Sequence, residues 1–399
     1  MKKKVFCIIT ADISLKHICD RNHELFNIIK KKFHEFYIIR VNRIMIFQKN
    51  LIKKEKFLKV KIPNNFKIIN INDEIDLFNF CKDKDIVAIN EIGKDPRFFK
   101  IYYLLKKYSI KQILITNFGH FGRSTGLSLE FKNWYKPTHL FHKGSYYIFR
   151  ILTILNIFPK IEILFESDKK IVQAIKNRIS TKFENLFPFI NIIYFKKTIL
   201  INSRSFNLYK KYKKRICNKN TIVYGDTPFF SRDRVSVEYG VTKTKEKKFY
   251  KNLNFFLKNL SNLLNYKVII CTKPGYLYKN KFSNNFKIST KRTLEEIPNC
   301  GLFVFSASST VLDAVVLGKK IINIKSHYLG NYINNHGNRY CKKLGISSIN
   351  IDENFRLKKK DIKHNIIKYK KYISEKLISD KDNDPNKKII DIVKKNFKF

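Results

Sequence analysis

Leu302 to Ile324 reads LFVFSASSTVLDAVVLGKKIINI. Leu302 to Phe305 is a short apolar run, the length of a buried strand. A hydroxyl-rich loop follows, Ser306-Ala307-Ser308-Ser309-Thr310. Val311 to Leu317 is an apolar, helix-like run that stops at Gly318. Two lysines lead into a second apolar run, Ile321 to Ile324. Strand, tight loop, helix, strand is one βαβ unit. Parallel strands joined this way put the first loop at the carboxyl edge of the sheet, where open α/β sheets bind ligands. Hydroxyls and free N–H groups at the positive end of a helix suit a phosphate. A helix N-cap needs one such hydroxyl. The loop carries four in five residues, so it is read as a ligand loop.

The chain has 399 residues and is 44% hydrophobic. That is enough for two or three domains with real cores, and too apolar for a disordered chain. The formal net charge is +49, from 81 basic and 32 acidic side chains. Nucleic acid is the obvious partner for such a charge. Here, however, the lysines run from end to end, and Ile and Asn are abundant with them, as codon bias in an AT-rich genome produces. Phe and Tyr lie among Ile and Leu, as core residues do. Specific nucleic-acid binding is therefore not expected. Attraction to anionic headgroups or to phosphorylated substrates needs no dedicated basic domain.

The cysteines are Cys7, Cys19, Cys81, Cys217, Cys271, Cys300 and Cys341. Their number is odd and no pair has metal-ligand spacing, which suits free thiols in a reducing cytoplasm. The opening MKKKVFCIITADIS has an apolar run too short for a signal peptide and reads as a first strand. The window Tyr146 to Phe158, YYIFRILTILNIF, falls short of the roughly 20 residues of a membrane span and contains Arg150 and Asn156. It reads as a buried helix or as a helix lying in a membrane interface between Lys143 and Lys160. The expected location is cytoplasmic, with peripheral attachment to the inner face of the membrane.

Strand and helix signals alternate along the chain, the signature of a parallel sheet. Strands are expected at Val5–Thr10, Phe36–Val41, Asp85–Asn90, Gln112–Thr116 and Ile161–Phe165. A second series follows at Thr198–Asn202, Thr221–Tyr224, Tyr266–Cys271, Leu302–Phe305 and Ile321–Ile324. Helices are expected at 15–33, 73–81, 96–108, 246–264 and 359–378, and one with Asp384 as N-cap and Pro385 as its first residue. The segment Asn117 to Lys136 contains NFGHFGRSTG and reads either as a cleft-lining loop or as a mobile surface loop. The seam between the two series lies near 185–200. The expected division is an acceptor-side α/β domain over 1–195, a nucleotide-binding α/β domain over 196–375, and a basic helix over 376–399 that returns to the first domain.

Three loops follow strands in the second series: Gly225-Asp226-Thr227-Pro228, Lys273-Pro274-Gly275, and Ser306 to Thr310. In a parallel sheet all three face one edge. Together they offer a carboxylate, a lysine and a hydroxyl–amide cluster, which suits a nucleotide. No G-x-G-x-x-G and no G-x-x-x-x-G-K-[ST] occurs, which disfavours dinucleotide and P-loop readings. Asp380, Asp382 and Asp384 alternate like the start of a calcium loop. Pro385 stands where that loop needs Gly, and Asp391 where it needs Glu. No metal or other cofactor is expected.

The order TILINSRSFNLYKKY, VYGDTPFF, VIICTKPGYLY and TLEEIPNCGLFVFSASSTVLDAVVLGKKIINI, over 198 to 324, resembles the carboxyl-terminal half of GT-B glycosyltransferase-like proteins of bacterial surface-polysaccharide (capsule and lipopolysaccharide) biosynthesis. Bacterial sialyltransferases of that type share similar elements. The resemblance implies two Rossmann-like domains facing across a cleft. It places Lys273-Pro274 at the family's His-Pro motif and Ser308-Ser309 at its serine motif. It puts Asp313 where many such enzymes hold a glutamate against the donor sugar or ribose. Lys273 departs from the family histidine, and Lys320 from its proline. The activity implied is metal-independent transfer of a sugar from a nucleotide-sugar donor to a glycan or lipid-linked acceptor. Lys273, Pro274, Gly275, Ser306, Ser308, Ser309, Thr310 and Asp313 would hold the donor. Asp12, His120 and Asp226 are candidates for the base that takes the acceptor proton. The alternatives are a CMP-sugar transferase as the specific subclass, a nucleotide-sugar epimerase of the same architecture, a non-catalytic relative, and a basic nucleic-acid-binding protein.

Overall fold

Two parallel sheets organise the chain. The computed structural model describes residues 2–11, 15–41, 44, 62–92, 98–116, 148–149, 151–176, 195–212, 217, 219–227, 229–230, 243–272, 281–289, 291–353, 358–359, 362, 364–379 and 384–399. Contacts divide the chain into two units, with boundaries after Asn202 and after Ile378.

The first unit holds β1 (Lys3–Thr10), β2 (Phe36–Arg40), β3 (Phe66–Asn70), β4 (Lys84–Asn90), β5 (Lys111–Thr116), β6 (Ile161–Glu166) and β7 (Phe195–Leu200). Their order in the sheet is β3-β2-β1-β4-β5-β6-β7, and every pair is parallel. The strands are Ile- and Val-rich because both faces are covered, as parallel sheets require. Helices α1 (Leu15–Arg21), α2 (His23–Lys32), α3 (Glu74–Cys81), α4 (Phe99–Lys107) and α5 (Lys169–Lys176) provide crossovers. Asp73 caps α3 by accepting the Asp76 N–H at 2.9 Å. Among the helical residues 148–149 and 151–154, Phe149 packs against Tyr102 of α4, ring centroids 4.5 Å apart.

The second unit holds β8 (Lys219–Gly225), β9 (Lys267–Cys271), β10 (Lys287–Ser289), β11 (Cys300–Phe305), β12 (Lys320–Lys325) and β13 (Ser347–Asn350), in the order β10-β9-β8-β11-β12-β13. Helices α6 (Ser205–Tyr212), α7 (Glu246–Leu264), α8 (Thr293–Glu296), α9 (Val311–Val316), α10 (Gly330–Leu344) and α11 (Ile366–Tyr372) flank it. Helix α7 buries Phe249, Tyr250, Leu253, Phe256, Leu257 and Leu260 on one stripe. Burial of each such side chain contributes roughly 1.5–3 kcal/mol, and this stripe fixes the helix to the sheet. Gly318 ends α9 with φ +64°, a backbone state that glycine adopts without the steric cost other residues bear.

The last helix, α12 (Pro385–Phe397), belongs to the first unit. Asp384 caps it by accepting the N–H groups of Asn386 and Lys387 at 2.8 and 3.1 Å. Ile389, Ile390 and Val393 are fully buried in the core built on Phe6, Ile8, Phe26 and Phe36. Lys4 Nζ reaches the carbonyl of Lys398 at 2.9 Å.

Three features differ from the sequence reading. The strand expected to open the second series is β7, which pairs with β6 (Leu164 opposite Thr198), so the division falls after Asn202. β3, β10, β13 and helix α10 carry no clear sequence signal. β10 and β13 are short edge strands, and β3 is an edge strand with half-exposed faces, so none shows the apolar run of a central strand. The helix expected over 15–33 is broken at Asn22 into α1 and α2.

Candidate functional site

In each sheet the strand order reverses at one place. In the second unit that place lies between β8 and β11. The crevice outside such a switch point is where doubly wound sheets bind ligands. Register places Gly225 beside Phe305 on one side and beside Cys271 on the other. The segments that start at Asp226, Thr272 and Ser306 therefore leave the sheet side by side, as the three-loop reading requires. Lys273, Pro274 and Gly275 lie outside the described residues.

The Ser306–Thr310 loop is built from both sides. Its carbonyl at Ser306 accepts Asn323 Nδ2 at 2.5 Å, and Asn323 Oδ1 in turn accepts the Ser348 hydroxyl at 2.9 Å. Ser308 Oγ and Thr310 Oγ1 are 2.8 Å apart. The first helical N–H groups turn back into the loop, Val311 to Ser308 O at 3.3 Å and Leu312 to Ser309 O at 3.1 Å. Among the described residues, the N–H groups of Ala307, Ser308 and Ser309 donate to no acceptor. Ser306 is 3% exposed, and its hydroxyl has no partner among them either. Buried polar groups are nearly always paired. An unpaired hydroxyl beside three successive open N–H groups offers donors suited to an anion. Ser309 is exposed, at the mouth of the loop.

The two described carboxylates of the candidate set face inward. Asp226 accepts the Tyr224 hydroxyl at 3.1 Å on one oxygen and the Tyr250 hydroxyl at 3.2 Å on the other, and its N–H donates to Cys271 O at 3.0 Å. These bonds tie the end of β8 to β9 and α7. Asp313 is 5% exposed and accepts the Ser205 hydroxyl at 2.5 Å, which links α9 to α6. In this arrangement both carboxylates hold packing together, whereas the Ser306–Thr310 loop is open.

In the first unit the switch point lies between β1 and β4. Asp12 follows β1 and lies outside the described residues, as does His120. Glu91 follows β4, pairs with Arg21 and accepts Asn22 Nδ2 at 2.9 Å. Glu166 ends β6, and burial raises the pKa of its carboxyl against hydrogen bonds from Asp168 N–H, the Thr116 hydroxyl and Ser167 N–H.

A further group at the edge of the second sheet escaped sequence reading. His327 follows β12, and its Nδ1 lies 2.6 Å from Asp352 Oδ2 beyond β13. The signal available was a histidine two residues past an apolar strand. Nothing local marks its partner.

Among the described residues no three His, Cys, Asp or Glu side chains converge as metal ligands. Asp380 and Asp382 of the alternating acids lie outside the described residues, and Asp384 is the cap of α12. No described helix is long and apolar enough to cross a membrane.

No protein-family model matches the sequence, and no curated protein matches it at a significant level. Solved structures do match the fold. A variant of the wall teichoic acid polymerase TagF aligns over 100% of this chain and 89% of its own, with a TM-score of 0.53 at 12% identity. The same polymerase soaked with CDPG aligns over 99% of this chain and 89% of its own, with a TM-score of 0.51 at 12% identity. Arabidopsis thaliana UGT89C1 complexed with UDP covers 99% of each chain, with a TM-score of 0.48 at 10% identity. Two parallel α/β units and the likeness to the polymerase structures define a GT-B-like fold.

Proposed function

We propose that the chain is a transferase that moves a sugar from a nucleotide-activated donor to a glycan or lipid-linked acceptor. The observation that carries this reading is the Ser306–Thr310 loop, with its unpaired Ser306 hydroxyl and open N–H groups at the switch point of a GT-B sheet. Fixed donors aimed at a phosphate stabilise the charge that develops as a nucleotide leaves, without a metal. Lys273, in the segment after β9, would add a cation. The acceptor-side base is assigned to the first unit, with Asp12 and His120 as candidates. Asp226 is third among them because both its oxygens already accept tyrosine hydroxyls.

Cytidine donors form the favoured subclass. The sialyltransferase-like motif order implies a CMP-sugar, and the matched polymerase structure was soaked with CDPG. A polyol phosphate carried on CDP is therefore a second reading of the transferred group. A surface-polysaccharide acceptor at the membrane fits the exposed Ile148, Ile151, Leu155 and Ile157 of the first unit and the +49 charge.

Thermal-shift titration of the purified chain with CMP, CDP, UDP and GDP tests the reading, with Ser306→Ala and Ser309→Ala alongside. Stabilisation by one nucleotide that weakens in both variants is expected. No response to any of them, with tight salt-sensitive binding to DNA or RNA, would overturn it.

A further inference from the structure

The His327 imidazole is held on several sides and open on one. The Asp352 side chain is 4% exposed, whereas that of His327 is 63% exposed. Asp352 Oδ1 accepts Asn252 Nδ2 at 2.9 Å and the Ser326 hydroxyl at 3.0 Å. Its Oδ2 takes the His327 N–H and the His327 ring, both at 2.6 Å. The Tyr328 ring centroid lies 3.8 Å from that of the imidazole. Asn334 of α10 clamps the turn, accepting Ser326 N–H at 3.2 Å and donating to Ser326 O at 2.8 Å. Groups from α7, α10 and the segment after β13 thus fix one exposed ring.

With Nδ1 committed to Asp352, Nε2 is the outward nitrogen, an acceptor when the ring is neutral and a donor when it is protonated. Anchoring the inner nitrogen through a buried carboxylate is how proteins aim the outer one. A histidine that only solvates a turn has no need of it.

The ring stands at the edge that carries the phosphate loop. β12 neighbours β11 on the side away from β8, and Phe305 is opposite Asn323. The Ser306 loop and His327 thus rise from adjacent parallel strands of one unit. An activated donor is a phosphate with two arms, the nucleoside and the group to be transferred. The Ser306–Thr310 loop follows β11, which lies between β8 and β12, so those are the two sides available to the arms of a phosphate held on it. On the β8 side the Asp226 carboxylate is committed to Tyr224 and Tyr250. On the β12 side stands an aimed, exposed imidazole.

We infer that His327, positioned by Asp352, hydrogen-bonds an oxygen of the group the donor carries and selects for that group. This deepens the nucleotide-donor reading and rests on it.

Calorimetric titration of the full chain separates the two. The probes are CMP, CDP-glycerol, CMP-N-acetylneuraminate, UDP and UDP-glucose. Whichever nucleotide binds, its conjugate is expected to bind His327→Ala about tenfold more weakly, the loss of one hydrogen bond. The free nucleotide keeps its affinity within about twofold. Ser309→Ala weakens both. His327→Asn, which retains a donor toward Asp352 but no outward nitrogen, behaves like the alanine variant, and His327→Gln recovers part of the loss. Unchanged conjugate affinity in His327→Ala overturns the inference, as does an equal loss for free nucleotide and conjugate. A wild-type chain that binds no nucleotide at all removes the donor reading itself, and this inference with it.

Discussion

Gly337 of α10 faces the carbonyl oxygen of Ser306 with no room for a side chain. A Cβ there would stand 2.7 Å from that oxygen and 2.5 Å from Asn323 Nδ2. The helix can approach the loop this closely only because the residue is glycine, and the same approach keeps Asn323 on the Ser306 carbonyl. The conformation of the candidate phosphate loop is thus set partly by a helix that follows it by two elements in the sequence.

Gly337→Ala is expected to destabilise the chain by about 1–3 kcal/mol, the usual cost of overpacking, although alanine alone would favour the helix by about 1 kcal/mol. Nucleotide stabilisation falls with it, because the Ser306 carbonyl must move. Thermal unfolding with and without nucleotide checks both. An unchanged melting temperature would show that the loop tolerates displacement.

Asp226→Ala is expected to cost about 1–3 kcal/mol, because Tyr224 and Tyr250 lose a buried acceptor, while nucleotide affinity of the folded protein stays near wild type. Denaturant unfolding and titration of one preparation decide the matter. Lost affinity at wild-type stability would return Asp226 to the ligand site.

Glu166 gives a pH signature. Burial raises its folded-state pKa above the ordinary 4.5. A raised carboxyl contributes stability below the unfolded value and loses it as pH rises through the folded value. The wild type is therefore expected to lose stability relative to Glu166→Gln as pH climbs above the ordinary 4.5 toward neutrality. Melting curves across that range test this. A wild type that gains on the variant with rising pH contradicts the assignment.

Ile390→Ala in α12 is expected to destabilise the first unit by about 2–5 kcal/mol, since Ile390 is fully buried in the core around Phe6 and Phe36. Protease protection of the first unit, read by peptide mapping, should fall while that of the second is retained.

The exposed Ile151 and Leu155 predict binding to anionic vesicles. The Ile151→Glu, Leu155→Glu double variant should lose most co-sedimentation with phosphatidylglycerol-containing vesicles while keeping its nucleotide response. Equal sedimentation of both proteins would assign the binding to the dispersed lysines instead.

Much of this architecture is local in origin. The apolar runs of β1, β4, β8 and β11 announce themselves, and the Asp384-Pro385 pair specifies the start of α12 to the residue. So does the periodicity of α7, whose expected limits of 246 and 264 match the observed helix. The hydroxyl loop at Ser306 is legible because its chemistry is contiguous. β10 and β13 were not, since an edge strand of three or four residues lacks the burial on both faces that writes a strand into sequence.

The alternation of strands and helices, the position of the candidate phosphate loop and the Asp384 cap of α12 are legible locally, because they depend on neighbours within a few residues. Which loops share an edge, and which side chains find partners in the packing, follows from the fold as a whole. Asp352 lies 25 residues from His327 and 100 from Asn252. Ser205 lies 108 residues from Asp313. Hydrogen bonds over such separations exist only once strand pairing has closed the intervening chain. That is why the hydroxyl partners of Asp226 and Asp313, and the carboxylate beside His327, are visible only in the fold.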